Sequence, residues 1–264
     1  MSDVSESKHV VLIHGTWGNG DSLGEARREF EARGYRVHTP TLRYHDLPID
    51  DGAAKIAPLS VRDYADDVGA LVGSLETPPL IIGHSLGGLI AQIVAARTHH
   101  AGLIAATPAP ARGIFAAYPT TLRVFGGHFL RWRPWTKPLY PVSWKVFRRY
   151  ITNTTDEAIA RQKHSELVCE SGRVYCEMPF WFADRQKATA VDFAAVTTPV
   201  LAIGARRDRL VNRRVARATA GRYANGTYIE IPASDHLVFH GKALPVTMAG
   251  IDEWMVANGV LADG

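Results

Sequence analysis

The sequence predicts an α/β protein, a mostly parallel sheet of about six strands flanked by helices and interrupted once by an inserted helical segment. Three observations carry that expectation. Short apolar runs of strand length recur along the chain, and helical patterns lie between most of them. Several of these runs end in loops rich in Gly, Ser, His and Asp. One long stretch, from about Pro108 to Ala188, abandons the rhythm for aromatics and prolines.

Residues 10–13 are apolar throughout and lead into His14-Gly15, as a buried parallel strand leads into its loop. A helix is expected next, since Ser22 and Glu25 have capping-box spacing, Leu23, Ala26 and Phe30 recur at helical intervals, and Gly34 is placed to end the element. Residues 35–39 read as a second strand. Ser60 and Asp63 mark another helix start, with Val61, Tyr64, Ala65, Val68, Leu71, Val72 and Leu75 on helical period until Pro78-Pro79 stops them. Residues 80–82, 103–106, 200–203 and 227–231 read as the third to sixth strands. The aromatic stretch carries Phe115, Tyr118, Phe125, Phe129, Trp132, Trp135, Tyr140, Trp144, Phe147 and Trp181. It is too long for a loop in a compact domain, so a mainly helical insertion over 108–188 is expected, with 1–107 and 189–264 as the core.

Composition sets the class. The chain has 264 residues, 46% hydrophobic and 21% charged, ordinary for a globular protein, with no repeat or low-complexity tract. The opening MSDVSESK is polar with no apolar run behind it, and nothing approaches the length of a membrane span, so a soluble, cytoplasmic protein without an integral membrane segment is expected. Cys169 and Cys176 lack the spacing of a redox or zinc site. A net charge of +4 is too small to imply a nucleic-acid partner. Its distribution is uneven: no acidic residue lies between Glu76 and Asp156, while Arg112, Arg123, Arg131, Arg133, Lys137, Lys145, Arg148 and Arg149 do.

Gly83-His84-Ser85-Leu86-Gly87 fits G-x-S-x-G, with a strand before it and a helix after. Leu86, Leu89, Ile90, Ile93 and Val94 share a helical face, so the helix starts directly after the serine and Ser85 sits on a sharp turn. Such a turn needs small residues on either side, which Gly83 and Gly87 supply. It lifts the hydroxyl out of the sheet and aims the first helix amides at charge developing beside it. The bland alternative is a tight turn whose serine caps the helix.

A serine hydroxyl needs a base, and the base an orienting acid. Asp208 lies in a loop after the fifth strand, and Ser234-Asp235-His236 follows the last, where open α/β sheets gather their sites. Asp235 is a rival acid and His240 a rival base. No His, Cys, Asp or Glu cluster has metal-ligand spacing, so neither metal nor cofactor is expected.

From "VVLIHGTWG" through "GHSLGG" and "GARRDRLV" to "SDHLVFHG", nearly the whole chain resembles the α/β-hydrolase superfamily, more closely its compact serine esterases and lactonases with a helical cap. The resemblance implies Ser85 as nucleophile, His236 as base and then acid, Asp208 as orienting carboxylate, and the amides of Thr16 and Leu86 as an oxyanion hole. It also implies a pocket walled by aromatics, for which Trp17, Trp132, Trp135, Trp144 and Trp181 are the candidates. Two departures stand out: only a short polar leader precedes Val10, so the first two strands of the fold are expected to be missing, and Gly204 lies one residue early in the acid loop, with Ala205 in its place.

The expected chemistry is hydrolysis of carboxylic esters or lactones with bulky apolar or aromatic groups. Ser85 argues against family members that use an aspartate nucleophile, and Gly15 and Leu237 stand where similar hydroxynitrile lyases carry threonine and lysine. Carbon–carbon hydrolysis, amide hydrolysis and a non-catalytic binding role stay open. The expected partner is a small ester or lactone; homo-oligomers are possible. The basic, aromatic stretch also suits a nucleic acid or a membrane surface, but its position between the fourth and fifth strands is where this superfamily inserts caps.

Overall fold

The computed structural model describes residues 8–260; most of the polar leader, residues 1–7, lies outside them. In chain order the elements begin with β1 (His9–Ile13), α1 (Gly24–Ala32), β2 (Arg36–His38), α2 (Ile49–Ile56) and α3 (Val61–Gly73). Then come β3 (Leu80–His84), α4 (Leu86–Ala95) and β4 (Gly102–Ala106). The long insertion holds α5 (Pro119–Phe129), β5 (Pro138–Leu139), α6 (Trp144–Tyr150), α7 (Glu157–Ser165), β6 (Glu170–Ser171) and α8 (Gly172–Glu177). The chain closes with β7 (Val200–Ala205), α9 (Arg213–Ala220), β8 (Gly226–Ile231) and α10 (Ala243–Ala257).

Six strands form one parallel sheet in the order β2-β1-β3-β4-β7-β8. Parallel strands of this length require helical crossovers, which cover both faces. Alternation along each strand sorts the core into two halves. Val11, Ile13, Ile81, Leu103 and Val200 join Val68, Leu89, Ile93 and Val215 on one face. Val10, Leu12, Ile82, Ile104, Leu201 and Ile203 join Phe30, Met248, Ile251 and Trp254 on the other. Helix α4 is buried all round, with every residue from Leu86 to Ala95 inside, as a helix apolar on all faces must be. Because all six strands point the same way, the loops after β1, β3, β4, β7 and β8 leave from one edge, and the order reverses beside β1, the crevice where open α/β sheets bind ligands.

Locally the sequence and the structure differ in instructive ways. The Ser60–Asp63 capping box forms: Arg62 N donates to Ser60 Oγ and Ser60 N to Asp63 Oδ2. The expected Ser22–Glu25 box does not. Asn19 caps a short 3₁₀ turn at Gly20–Leu23, with Ser22 as the reciprocal partner, and α1 starts only at Gly24. Glu25 is drawn away to accept from Gly241 N at 2.9 Å and His240 Nδ1 at 3.1 Å. Helix α2 lies between the second strand and the Ser60 helix start, where no element was expected, and β2 is shorter than the expected 35–39.

The chain between β4 and β7 crosses the carboxyl edge of the sheet and is fastened there by buried polar groups. Glu170 is wholly buried; its carboxylate accepts from Tyr64 OH at 2.9 Å, Ser171 N at 2.7 Å and His45 Nε2 at 3.2 Å. His45 Nδ1 faces the Arg43 carbonyl at 3.2 Å. Both ring nitrogens thus face oxygens, an arrangement that favours a charge on the ring. Burial opposes that charge, but the carboxylate outweighs it and raises the His45 pKa. Glu177 accepts from Val61 N at 3.0 Å, and Trp17 Nε1 donates to the Leu139 carbonyl at 3.0 Å. Phe125, Leu139, Phe147 and Val174 complete the attachment by joining the core.

Candidate active site

Ser85 occupies the turn between β3 and α4 with φ 55° and ψ −117°. That backbone is strained for a residue with a side chain, and three hydrogen bonds hold it: Ser85 N donates to the Ala106 carbonyl at 2.9 Å, while the Ser85 carbonyl accepts from Gly88 N at 2.9 Å and Ala109 N at 2.8 Å. A Cβ on Gly83 would overlap the Gly87 carbonyl, and one on Gly87 would overlap the Ile13 carbonyl. Glycine at both places is therefore a requirement of strand–helix approach. Leu86 opens α4, so its amide is one of the first-turn donors that lack an intrahelical acceptor.

The loops after β7 and β8 bring Asp208 and His236 together. His236 Nδ1 lies 2.7 Å from Asp208 Oδ2, and the other carboxylate oxygen, Oδ1, accepts from Leu210 N at 2.8 Å and Val211 N at 2.9 Å. The Asp208 side chain is fully buried and the imidazole nearly so. The acceptor on Nδ1 places the proton there and leaves Nε2 with its lone pair free, the tautomer of a base. The neighbouring ring, His84, lies with its centroid 4.8 Å from that of His236, and its Nε2–H donates to the His236 carbonyl at 2.8 Å. Burial, then the neighbouring His236 ring, keeps His84 well below the usual imidazole range, so it braces the loop without adding a charge.

The rival residues have other partners. Asp235 is buried and accepts from Thr154 N at 2.6 Å, Thr155 N at 2.7 Å and Leu237 N at 3.1 Å, so it ties the β8 loop to the insertion instead of backing a ring. His240 is engaged by Glu25, whose pKa falls to about 2, chiefly through the hydrogen bond from His240. His14 donates from Nδ1 to the Gly15 carbonyl at 2.8 Å and accepts Leu42 N on Nε2 at 3.1 Å. That neutral ring fixes the turn that carries Thr16. The Thr16 hydroxyl shares a hydrogen bond with Tyr175 OH. Nothing in the sequence ties Tyr175 to Thr16, for they are separated by most of the chain.

Two cavities meet at Ser85 and Leu210. The smaller, about 70 Å³, has Thr16, Trp17, His84, His236, Leu237 and His240 in its wall. The larger, about 290 Å³, is lined almost wholly by apolar groups, among them Ile114, Phe125, Phe129, Met178, Trp181 and Val215. Of the five expected pocket tryptophans, Trp17 belongs to the small cavity and Trp181 to the large one. Trp132 and Trp135 are exposed, Trp132 by 84% of its surface, and stand outside both. Trp144 is half-buried beside His164 and Phe147 under the Arg161 guanidinium, also outside both walls. The reason is directional: composition does not say which way a ring points. Among the described residues no group of His, Cys, Asp and Glu is arranged to hold a metal.

Comparison with known proteins follows this geometry. Residues 10–246 match the alpha/beta hydrolase family. A pyrethroid hydrolase of Sphingobium wenxiniae is 36% identical over 99 residues, which is 36% of this chain and 34% of that protein, so the match spans about a third of the relative's length. Among solved structures, a pyrethroid hydrolase from Sphingobium faniae superposes with a TM-score of 0.69 at 22% identity, covering 94% of this chain and 97% of the other. A methylesterase from Arabidopsis does so with a TM-score of 0.67 at 13% identity, covering 93% and 98%. At such identities the structural likeness is one of fold.

Proposed function

The chain belongs to the alpha/beta hydrolase family, and from that premise we propose that it hydrolyses carboxylic esters through a serine nucleophile and an acyl-enzyme. The observation that carries this reading is the Asp208–His236 hydrogen bond, which leaves Nε2 unprotonated in a cavity that Ser85 also lines. In the first half-reaction His236 Nε2 takes the Ser85 proton as Oγ attacks the ester carbonyl, and the amides of Leu86 and Thr16 receive the oxyanion. His236 then gives that proton to the departing alcohol as the C–O bond breaks. In the second, water loses a proton to Nε2, attacks the acyl carbon, and Ser85 leaves as a hydroxyl. No cofactor enters either half.

The two cavities give the substrate a direction. The leaving oxygen must lie within hydrogen-bond reach of the ring that protonates it, so the alcohol occupies the side walled by His236, the small cavity. The acyl group takes the other side, where the large apolar cavity is. The proposed substrate is an ester of a bulky apolar acid and a small alcohol, with residues 108–188 acting as the cap that encloses the acid. The pyrethroid hydrolase relative supports ester cleavage; carbon–carbon or amide hydrolysis would use the same groups on another bond.

The test is labelling with a fluorophosphonate followed by peptide mass spectrometry, together with kinetics on p-nitrophenyl esters. The adduct is expected on Ser85, and Ser85→Ala is expected to lower kcat by about 10³-fold or more with the fold intact. An adduct confined to another residue overturns the assignment.

A further inference from the structure

The proposed active site uses the inner side of the insertion and leaves its outer side without a role. Residues 115–140 and 180–187 present Phe115, Leu122, Leu130, Trp132, Trp135, Tyr140, Phe180 and Phe182 to solvent, with Leu130 exposed by 89% and Phe182 by 69%. Water-facing side chains of this size are common singly; their concentration in one insertion marks an interaction surface. Arg123, Arg131, Arg133, Lys137, Arg185 and Lys187, all exposed, are interleaved with them. None of these cations has a carboxylate partner among the described residues. The one acid in the two stretches, Asp184, is spent on the amides of Gln186 and Ala188.

We propose that this face docks on the surface of a lipid bilayer rich in anionic lipid. Tryptophan and tyrosine sit favourably at headgroup depth, leucine and phenylalanine gain by entering the acyl boundary, and unpaired cations are drawn to negative lipid. The alternatives fit less well. A second copy would bring one all-cationic face against another. Single-stranded nucleic acid would use the rings and the cations, but Leu122 and Leu130 offer no stacking surface. Continuity with the interior adds a third argument: Phe115, Leu122 and Phe182 are exposed and also line the large cavity, and Phe180 packs edge-on against Phe129 inside it. The cavity mouth therefore opens within the docking face, and an apolar ester dissolved in the bilayer reaches it without crossing water. The docking itself does not depend on the Ser85 assignment.

The test is co-sedimentation of the full chain with vesicles of phosphatidylcholine alone or with about one-third phosphatidylserine, in 0.1 M and 0.5 M NaCl. Binding is expected to the mixed vesicles, to weaken with salt, and to shift tryptophan emission to the blue. Arg131→Gln with Arg133→Gln is expected to weaken binding at least tenfold, at about fivefold per cation removed. Leu130→Ser with Trp132→Ser is expected to weaken it by a similar factor and abolish most of the blue shift. Circular dichroism and hydrolysis of a water-soluble ester should be unchanged in both variants. The proposal is overturned by any of three outcomes: no preference for the mixed vesicles, binding indifferent to both double variants, or tighter binding to a single-stranded oligonucleotide than to vesicles.

Discussion

Replacing Asp208 by asparagine isolates one proton. Oδ1 of Asp208 accepts two backbone amides, from Leu210 and Val211, so an asparagine there must turn its carbonyl oxygen toward those donors and its NH₂ toward His236. That NH₂ can only donate, which forces Nδ1 of the imidazole to accept and moves the ring proton to Nε2. The ring then faces Ser85 with a hydrogen instead of a lone pair. Loss of the correct tautomer in a serine protease triad costs about 10⁴ in kcat, about 5.5 kcal/mol of transition-state stabilisation, and the same order is expected here. Stability should hardly change, because both backbone hydrogen bonds survive and the substituted atom is isosteric. Asp235→Asn is the control. It loosens the Thr154–Thr155 clasp but leaves the His236 proton in place, so kcat should fall less than tenfold while the melting temperature drops. The assay is steady-state hydrolysis of p-nitrophenyl butyrate near pH 7.5, with thermal melts on each variant. If Asp208→Asn keeps kcat within tenfold of the parent, or Asp235→Asn falls further than it does, the acid has been placed wrongly.

Other perturbations reach different parts of the argument. Gly83→Ala puts a methyl onto the Gly87 carbonyl; since backbone has to move, a loss of about 3 kcal/mol or more, or failure to accumulate as soluble protein, is expected in urea melts. His14 is held neutral, its pKa lowered from 6.5 to about 3 by burial and then by His45. The unfolded chain thus binds the extra proton first, and the stability His14 contributes is full above pH 6.5 and drains as pH falls toward 3, at up to about 1.4 kcal/mol per pH unit. His14→Gln should flatten that part of the acid limb in urea melts taken from pH 7 to pH 4, whatever it does to stability at neutral pH; an unchanged slope would disprove the linkage. Met178→Trp fills the large cavity and should lower kcat/KM for aryl and long-chain acyl esters by about 10 to 100-fold while sparing acetates; equal loss on both would show that the acyl group lies elsewhere.

Much of the frame was legible because it rests on short-range rules. Residues 10–13, 80–82, 103–106 and 200–203 are apolar on both sides of the chain, which only a strand covered on both faces tolerates, and each falls inside a strand of the sheet. The Ser60 box formed because nothing nearby competed for its groups. The Ser22 box failed because Glu25 had a stronger engagement with His240 and Gly241, residues more than two hundred positions away. Helix α2 escaped notice for the opposite reason. It is short and carries a mid-helix glycine, Gly52, and it earns its place by packing Ile56 against Cys169 of the insertion.

The site divides along the same line. Ser85, Asp208 and His236 each stand at a strand end that could be counted in the sequence, so their convergence follows once the sheet is parallel and the strands are in order. The cavities are what side chains from separate elements leave unfilled, and no single element announces them. Trp181 and Trp132 belong to one compositional class, yet the first ring lies under Arg112 in the wall of the large cavity while the second faces solvent. That difference carries functional content. A ring turned inward adds binding area for an acyl group; a ring turned outward among unpaired cations adds nothing to a pocket and, in water, gains nothing by its exposure. The outward set therefore calls for an apolar, negatively charged surface to meet it, and the cavity mouth within that set places Ser85 at the end of a continuous apolar path from such a surface.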